Sequence, residues 1–495
     1  MSIELLARAD SNRERPAIVD PELTTTYAQL VAAADRVAAA LLGTAGIVAG
    51  DRVAYLIAPC ANHVAALWGI WKAGGIAVPL ALSHPVPELE GLVGDASPIC
   101  LLADAEHHAR LAEVAGSRDL PLHRVEDLLQ TTVVSNVDID ADAPALMVYT
   151  SGTTGRPKGV VVTHAQITAQ VRTVSDAWGW TPDDTILHAL PLHHVHGLQV
   201  ALGCSLYSGA CCEFLWPFDA SAIWERFASG DISVFMAVPT VYRRLVAAWD
   251  ATPDQQERWS AGARGLRLMV SGSAALPVDL LDRWRAVTGQ RLLERYGMTE
   301  IGMALSNPLA GERRAGAVGQ PLPGVEVRVV DAAGNDCAAG TSGQIMVRGP
   351  QVFRDYWCQE EATAKAFRDG WFLTGDEAVL EDGYYRIVGR RSVDIIKSGG
   401  YKLSALEIEE VLRAHPGISE IAVVGVEDPE WGERVCAVIE RVDGALTVDR
   451  VRAWARERLA PYKVPKQVAF LEALPRNAMG KVTKPPLRDL FGEIE

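Results

Sequence analysis

The stretch Tyr149-Thr-Ser-Gly-Thr-Thr-Gly-Arg-Pro-Lys-Gly159, directly behind the apolar run Ala145–Val148, decides how the rest of the chain is read. An apolar strand that runs into a loop of hydroxyls and glycines makes a phosphate-binding loop. Glycine lets backbone N–H groups approach oxygens closely, Ser and Thr add hydroxyl donors, and a lysine adds a point charge. Thr150, Ser151, Gly152, Thr153, Thr154, Gly155 and Lys158 are therefore candidate nucleotide-binding residues. The loop is not G-x-x-x-x-G-K-[ST], because Pro157 replaces the second glycine of that pattern and Gly159 its Ser or Thr.

Outward from this loop the chain alternates strand and helix. On its N-terminal side, DRVAYLI (51–57), GIAVPL (75–80) and SPICLLAD (97–104) alternate with Ala-rich stretches such as YAQLVAAADRVAAALL (27–42). On its C-terminal side, DTILHALPL and DISVFMAVP read as buried strands between helical stretches. This is the pattern of an α/β fold with mostly parallel strands. After Asn307 the texture changes to closely spaced Gly, Pro and Asp with β-branched runs, which predicts a small antiparallel β-region. From about Arg391, EIEEVLRAHP, EIAVVGVED, ERVCAVIE and VRAWARERLA predict a compact α+β unit. The expected division is a large body over residues 1–390 and a small domain over 391–495.

The 495 residues, 49% hydrophobic and 22% charged, are ordinary globular composition and long enough for several domains. A formal charge of −15 disfavours a nucleic-acid or anionic membrane surface as partner. Yet residues 451–490 hold nine Lys and Arg against three Asp and Glu, so positive charge is gathered near the C-terminus. The eight cysteines show no C-x-x-C spacing and read as reduced thiols. No run approaches 18 consecutive apolar residues and the first residues lack an apolar h-region, so the expectation is a cytoplasmic protein without export signal or membrane span.

Four further motifs follow the loop in order. They are Tyr296-Gly-Met-Thr-Glu300, Trp371-Phe-Leu-Thr-Gly-Asp376, Gly389-Arg390 with Asp394-Ile-Ile-Lys-Ser-Gly-Gly-Tyr-Lys402, and Pro475-Arg-Asn-Ala-Met-Gly-Lys481. Together with the loop they resemble the signature motifs of the adenylate-forming superfamily, which includes acyl-CoA synthetases, luciferases and peptide-synthetase adenylation domains. The resemblance implies an enzyme that uses ATP, Mg2+ and a thiol such as CoA. By that resemblance Ser273, Glu294, Arg295, Tyr296, Gly297, Met298, Thr299, Asp376 and Arg390 contact ATP or AMP, and Glu300 and Thr154 hold the metal. Lys481, with Thr299 and Glu300, is catalytic. Arg391, Ser392 and Val393 form a hinge about which the small domain rotates between two half-reactions. Ser398, Gly399, Gly400 and Tyr401 then face the CoA arm. The chemistry suits the residues: Glu300 offers a hard oxygen ligand, Asp376 two acceptors for ribose hydroxyls, and Lys481 a charge for the transition state.

The acid is read from Pro191-Leu-His-His-Val-His-Gly-Leu198, Val238-Pro-Thr-Val-Tyr-Arg-Arg-Leu245 and Ser271-Gly-Ser-Ala-Ala-Leu-Pro277. These look most like the malonyl-CoA synthetase branch. His194, His196, Arg244, Ser271 and Met303 are the expected acyl-substrate residues, with Met236 and Tyr242 closing a short pocket. Helical spacing from Pro239 places Arg244 with Val241, Leu245 and Ala248 on an inward face, where a buried guanidinium needs an anionic partner. A second substrate carboxylate would supply one. The alternatives are a monocarboxylate–CoA ligase with Arg244 paired internally, an adenylation enzyme loading a carrier protein in trans, and a catalytically dead nucleotide-binding regulator. The last would predict loss of Lys481 or Glu300, and both are present.

Overall fold

The structure, a computed structural model, describes residues 3–132, 138–150, 157–391, 393–398, 401–428, 431–477 and 481–492. Two twisted sheets make up most of the N-terminal body. A seven-stranded sheet runs Asp355–Tyr356, Lys158–Thr163, Pro144–Thr150, Ile76–Pro79, Arg52–Leu56, Cys100–Ala103, Leu122–Arg124. A nine-stranded sheet has Leu293–Met298, Leu268–Ser271, Val234–Ala237, Thr185–His188 and Cys211–Phe214 as its parallel centre. Antiparallel pairs are confined to the margins of both sheets. The alternating texture of the sequence thus corresponds to parallel crossovers, and ligands of such sheets sit beyond the carboxyl ends of the strands.

Three helices, Tyr27–Ala40, Ala61–Lys72 and His164–Ala177, pack into one apolar core that also draws side chains from both sheets. Thr26 with Gln29 and Thr163 with Gln166 start two of these helices as reciprocal capping boxes. The segment Tyr27–Ala45 is long and apolar enough to cross a membrane by length and composition, yet it is a helix of this body. Its Asp35 pairs with Lys72, and its Val37 lies against Gly69. A second core gathers Trp224, Trp259, Trp284, Phe227, Phe235 and Tyr242 under the nine-stranded sheet.

That aromatic cluster sets the phase of the helix Pro239–Asp250 and corrects the sequence reading. Tyr242 packs edge-on against Trp284 at 4.8 Å, and its hydroxyl donates to the Val270 carbonyl at 2.8 Å. The buried face is Pro239, Tyr242, Leu245 and Val246, so Arg244 is exposed, its guanidinium over the Phe218 ring. Tyr242 and Met236 are core residues, not walls of a pocket. A buried aromatic with a bonded hydroxyl outweighs the apolar spacing of Val241 and Ala248.

The expected β-region after Asn307 is a five-stranded antiparallel sheet, Glu326–Val330, Gly343–Arg348, Trp371–Glu381, Phe367–Arg368 and Tyr384–Arg390. The C-terminal domain has its own sheet, in which Ile418–Asp428 and Gly432–Arg441 form a long hairpin backed by the helices Ala405–Arg413 and Val448–Arg458. Spacing alone does not show its hairpin Ile395–Ser398 with Tyr401–Ser404 or its parallel strand Gln467–Leu471.

The contact of the first two core helices is testable. A Cβ on Gly69 would lie 2.6 Å from the Cβ of Val37 and 3.0 Å from the Ala34 carbonyl. Gly69→Ala should therefore destabilise the body by about 1–3 kcal/mol, the usual cost of overpacking. Adding Val37→Ala, which removes the Cγ1 contact at 2.6 Å but keeps the Val37 Cβ, should recover only part of the loss. Calorimetry of the two variants decides it, and an unchanged melting temperature for Gly69→Ala would remove the argument.

Candidate active site

A cavity of about 1610 Å³ opens beyond the carboxyl ends of the parallel strands. Its walls come from strand ends such as Pro79 and Thr150, from the segment 295–300, and from Thr374, Gly375 and Arg390 of the antiparallel sheet. Arg476, Asn477 and Lys481 of the C-terminal domain close it. Motifs spread over more than 300 residues of sequence therefore meet in one space.

On one side, the Lys158 ammonium lies over the Tyr356 ring at 4.7 Å, and the Tyr356 hydroxyl donates to Glu300 Oε1 at 2.9 Å. Burial pushes the Glu300 carboxyl up from its ordinary value. Gly297, Met298 and Thr299 also line the cavity. A Cβ at Gly297 would sit 2.1 Å from the Gly302 carbonyl, so only glycine fits there. Asp376 stands behind the wall, accepting the Tyr296 hydroxyl at 2.6 Å and Arg390 Nε at 2.9 Å. Burial opposes the Arg390 charge, but the adjoining Asp376 more than offsets it and holds the guanidinium above its ordinary value. Ser151–Gly155 lie outside the described residues, and with them Thr154, the second expected metal ligand.

Neighbouring residues of the strand Leu293–Met298 face opposite ways. Glu294 points into the body, where it accepts the Leu276 N–H at 3.1 Å and burial raises its carboxyl to about 8. It is not among the cavity residues, against the expectation that it touches ATP. Arg295 points into the cavity beside His196 and Ser273, on the side expected to hold the acid instead of the nucleotide. The side chain lies on Gly272, where a Cβ would meet its Cζ at 2.4 Å. It is only 3% exposed, and its Nε and Nη2 have no protein partner among the described residues. Burial pushes the guanidinium down to about 9.

The histidines of the 191–198 segment line the same cavity, and His196 is the one acted on by the Arg295 charge. The His193 and His194 rings lie 4.0 Å apart, and burial lowers them to about 2 and about 4. His196 Nδ1 is 3.2 Å from Ser273 Oγ, and burial followed by the charge of Arg295 drives its imidazole well below the ordinary value. Ser273 adopts φ +68°, a left-handed conformation that a non-glycine residue rarely takes. Met303 lines the same side, whereas Ser271 is buried behind it with a hydroxyl that has no partner among the described residues. Histidines kept neutral leave Arg295 and Lys481 as the positive charges that act on this side of the cavity.

The chain matches the model of the AMP-binding enzyme family over residues 5–357 and that of the AMP-binding enzyme C-terminal domain over 407–481. It is 44% identical to the mitochondrial malonate–CoA ligase ACSF3 of Homo sapiens, covering 98% of this chain and 92% of that protein. The chain belongs to the AMP-binding enzyme family. Among solved structures, an ATP-bound MatB from Rhodopseudomonas palustris superposes with a TM-score of 0.91 at 37% identity over 99% of each chain. A malonyl-CoA ligase ternary product complex with methylmalonyl-CoA and AMP bound gives 0.72 at 39% identity, over 96% of this chain and all of that one.

In this AMP-binding enzyme the backbone of Lys481 is held by Asn477. Asn477 N–H donates to the Lys481 carbonyl at 2.9 Å, Lys481 N–H to Asn477 Oδ1 at 3.0 Å, and Thr483 N–H to the Pro475 carbonyl at 2.8 Å. Below the loop the buried Lys484 bridges Asp394 and Glu409, the latter at 2.7 Å. Asp394 in turn accepts the Arg390 N–H at 3.1 Å, so the lysine loop and the expected hinge share an anchor. Arg391 donates through Nε to Glu377 at 3.0 Å, Val393 N–H donates to the Arg390 carbonyl at 3.0 Å, and Ser392 lies outside the described residues. Ser398 is buried in the C-terminal sheet and is not a cavity residue. Gly399, Gly400 and the Tyr401 side chain lie outside the described residues. Sequence reasoning misses Tyr356, Arg476 and Asn477; the last two stand inside the lysine motif, but nothing local marks Tyr356.

Burial, then the like charges of Arg390 and Arg295, lower the Lys481 ammonium to about 8. A cation of depressed pKa keeps its charge below that value and loses it above. For adenylate formation without CoA, kcat/KM should therefore fall as pH rises through about 8. Lys481→Arg should move that limb to higher pH, because a guanidinium in the same place holds its proton more tightly than an ammonium. Pyrophosphate exchange followed against pH for both enzymes is the measurement; coincident alkaline limbs would assign the titration to another group.

Proposed function

We propose that this protein is an ATP-dependent acid–CoA ligase whose acid is malonate, with methylmalonate as a second candidate, and that it works in two steps through an acyl-adenylate. The observation that carries the choice of acid is Arg295: a buried guanidinium, free of protein partners among the described residues, in the wall of the cavity that also receives Lys481. A distal carboxylate pairs with it bidentately, while the proximal carboxylate is directed to the nucleotide. The human relative is named as a malonate–CoA ligase, which agrees.

In the first step a carboxylate oxygen forms a bond to the α-phosphorus of ATP, and the bond from that phosphorus to the bridging oxygen breaks, releasing pyrophosphate. Lys481 and Arg390 supply positive charge where negative charge gathers. Glu300, with Thr154 as the second residue, would hold Mg2+, which when bound neutralises phosphate charge. One Glu300 oxygen takes the Tyr356 hydroxyl, and a carboxylate keeps further acceptor sites for an ion of this type. In the second step the CoA thiol, losing its proton, attacks the acyl carbon and AMP leaves. We assign residues 1–390 to the body and 391–495 to a domain that turns about 391–393 between the steps. Ser398–Tyr401 then replaces Lys481. Arg476, Asn477 and Lys481 closing the cavity, and the higher TM-score to an ATP-bound relative, fit the orientation for the first step.

The relatives are CoA ligases, and no carrier partner is proposed. The eight free cysteines suit a reducing compartment. The cytoplasm is one such compartment and the location we propose, although the animal relatives are named as mitochondrial.

AMP release with CoA, measured across acetate, malonate, methylmalonate, succinate and octanoate, tests the reading: malonate should lead, and octanoate ahead of malonate would sink it. Arg295→Ala should cost malonate turnover on the order of 3 kcal/mol, the scale of an unpaired buried carboxylate, and acetate far less. Arg244→Ala, at an exposed site, should change neither acid by more than about 0.5 kcal/mol. A second test removes the catalytic charge. Lys481→Ala should abolish adenylate formation yet still convert supplied acyl-adenylate and CoA to thioester; loss of both steps would contradict the rotation.

A further inference from the structure

The arginine pair of the 238–245 segment does not serve the acid pocket, and Arg243 has a different environment from Arg244. Arg243 is half-buried on the helix Pro239–Asp250 of the body, and its Nη1 donates across to the carbonyl of Ser419 in the C-terminal domain at 3.3 Å. That carbonyl is presented by an irregularity in the strand. Ile418 pairs with Arg441 and Glu420 with Glu440, so Ser419 is the extra residue of a bulge. The bulge leaves Ser419 without a ladder partner, and its own hydroxyl is tied back to the Glu440 carbonyl at 3.0 Å.

The next residue, Glu420, carries the link to the cavity. Its Oε1 pairs with Arg413 at 3.3 Å and its Oε2 with Arg476 at 3.4 Å. Burial works against this carboxylate, and the charges of Arg413, Arg243 and Arg476 more than offset it, holding it below its ordinary range. Arg476 belongs to the loop that presents Lys481 and itself lines the cavity. This carboxylate thus pairs with two guanidiniums of its own domain, and the body contributes Arg243 at the adjoining Ser419 carbonyl.

We propose that Arg243 is a positioning residue for adenylate formation: by gripping the Ser419 bulge, next to Glu420, it seats the C-terminal domain so that Arg476 and Lys481 reach the cavity. The proposal rests on the two-step reading given above. Arg243 touches neither acid nor nucleotide. Its contacts join two domains whose relative orientation changes between the steps, so they belong to the first step and are released for the second. The grip is built from a partly exposed charge and a carbonyl, which makes it strong enough to bias the orientation and weak enough to let go.

The test separates the two half-reactions in the full-length enzyme. In Arg243→Gln, kcat for malonate-dependent pyrophosphate exchange should fall on the order of fivefold, the scale of one partly exposed ion pair. KM for malonate and ATP should stay near the parent values. Thioester formation from supplied acyl-adenylate and CoA should be unchanged or faster. Raising salt should slow exchange by the parent enzyme more than by the variant, because the grip is partly electrostatic. Arg243→Lys, which keeps the charge, should recover part of the exchange rate. Equal loss in both half-reactions, or exchange at the parent rate, would overturn the assignment. Failure of the parent enzyme to exchange pyrophosphate with any acid would instead overturn the two-step reading.

Discussion

One carboxylate ties the active site together. Asp376 takes the Tyr296 hydroxyl with one oxygen and the Arg390 guanidinium with the other. The tyrosine belongs to a strand of the nine-stranded sheet, the aspartate to the antiparallel sheet, and the arginine ends the strand that leads to the C-terminal domain. Geometry on this side of the cavity therefore depends on three units agreeing in place at a partly buried ion pair. Such a pair is a poor source of net stability, because desolvation consumes most of its attraction, but it penalises every misplacement of its members. The same arginine passes the constraint onward: its N–H is held by Asp394, and Asp394 by Lys484, three residues beyond Lys481. The position of Lys481 is thus tied to the body through a line of charges, with the Arg243 contact as a second, more exposed tie.

The formal charge of −15 gives no hint of this interior. Surface carboxylates dominate the sum, while the cavity holds Arg295, Arg390, Arg476, Lys158 and Lys481 around buried histidines kept neutral. Lowered values for Lys481 and Arg295 share one physical origin, burial, to which the charges of Arg390 and Arg295 add for Lys481 while Asp376 partly opposes them. A site of that kind is incomplete until polyanions enter it, and two carboxylates with three phosphates are suitable ones.

Much of this is legible in the sequence, for identifiable reasons. The parallel sheets follow from apolar runs separated by helical stretches, and the nucleotide side from motifs whose chemistry lies in adjacent residues, such as Gly297 to Glu300. Reading fails where function depends on which way a side chain turns. Motif resemblance groups Glu294 and Arg295 as nucleotide contacts, although a strand must send them to opposite faces. That alternation is a property of the amino-acid order alone, and it separates Arg295 from its neighbour. Arg244 misleads for a different reason. Apolar spacing on the helix Pro239–Asp250 admits two phases, and the choice is made by Trp284 and the Val270 carbonyl, which are distant in sequence. Tyr356 has no local signal either, since its partners Glu300 and Lys158 lie far back in the chain.

The geometry of Arg295 bears on selectivity as well as affinity. A guanidinium buried in the cavity wall, without a protein partner for Nε and Nη2 among the described residues, carries its desolvation cost in the free enzyme. A dicarboxylate removes that cost. Opposite charges about 4 Å apart attract by roughly 4 kcal/mol at an effective dielectric near 20. A monocarboxylate of similar size leaves the cost in place, and a longer aliphatic acid adds apolar surface against the charge. Discrimination therefore comes from the penalty imposed on the wrong acid as much as from attraction to the right one. Neutral histidines are part of the same device. Were His196 charged, it would compete for the distal carboxylate and bind anions without regard to length. Held neutral by burial and by Arg295 itself, it offers a hydrogen bond but no charge, and the fork of one arginine is left to measure the distance between the two carboxylates.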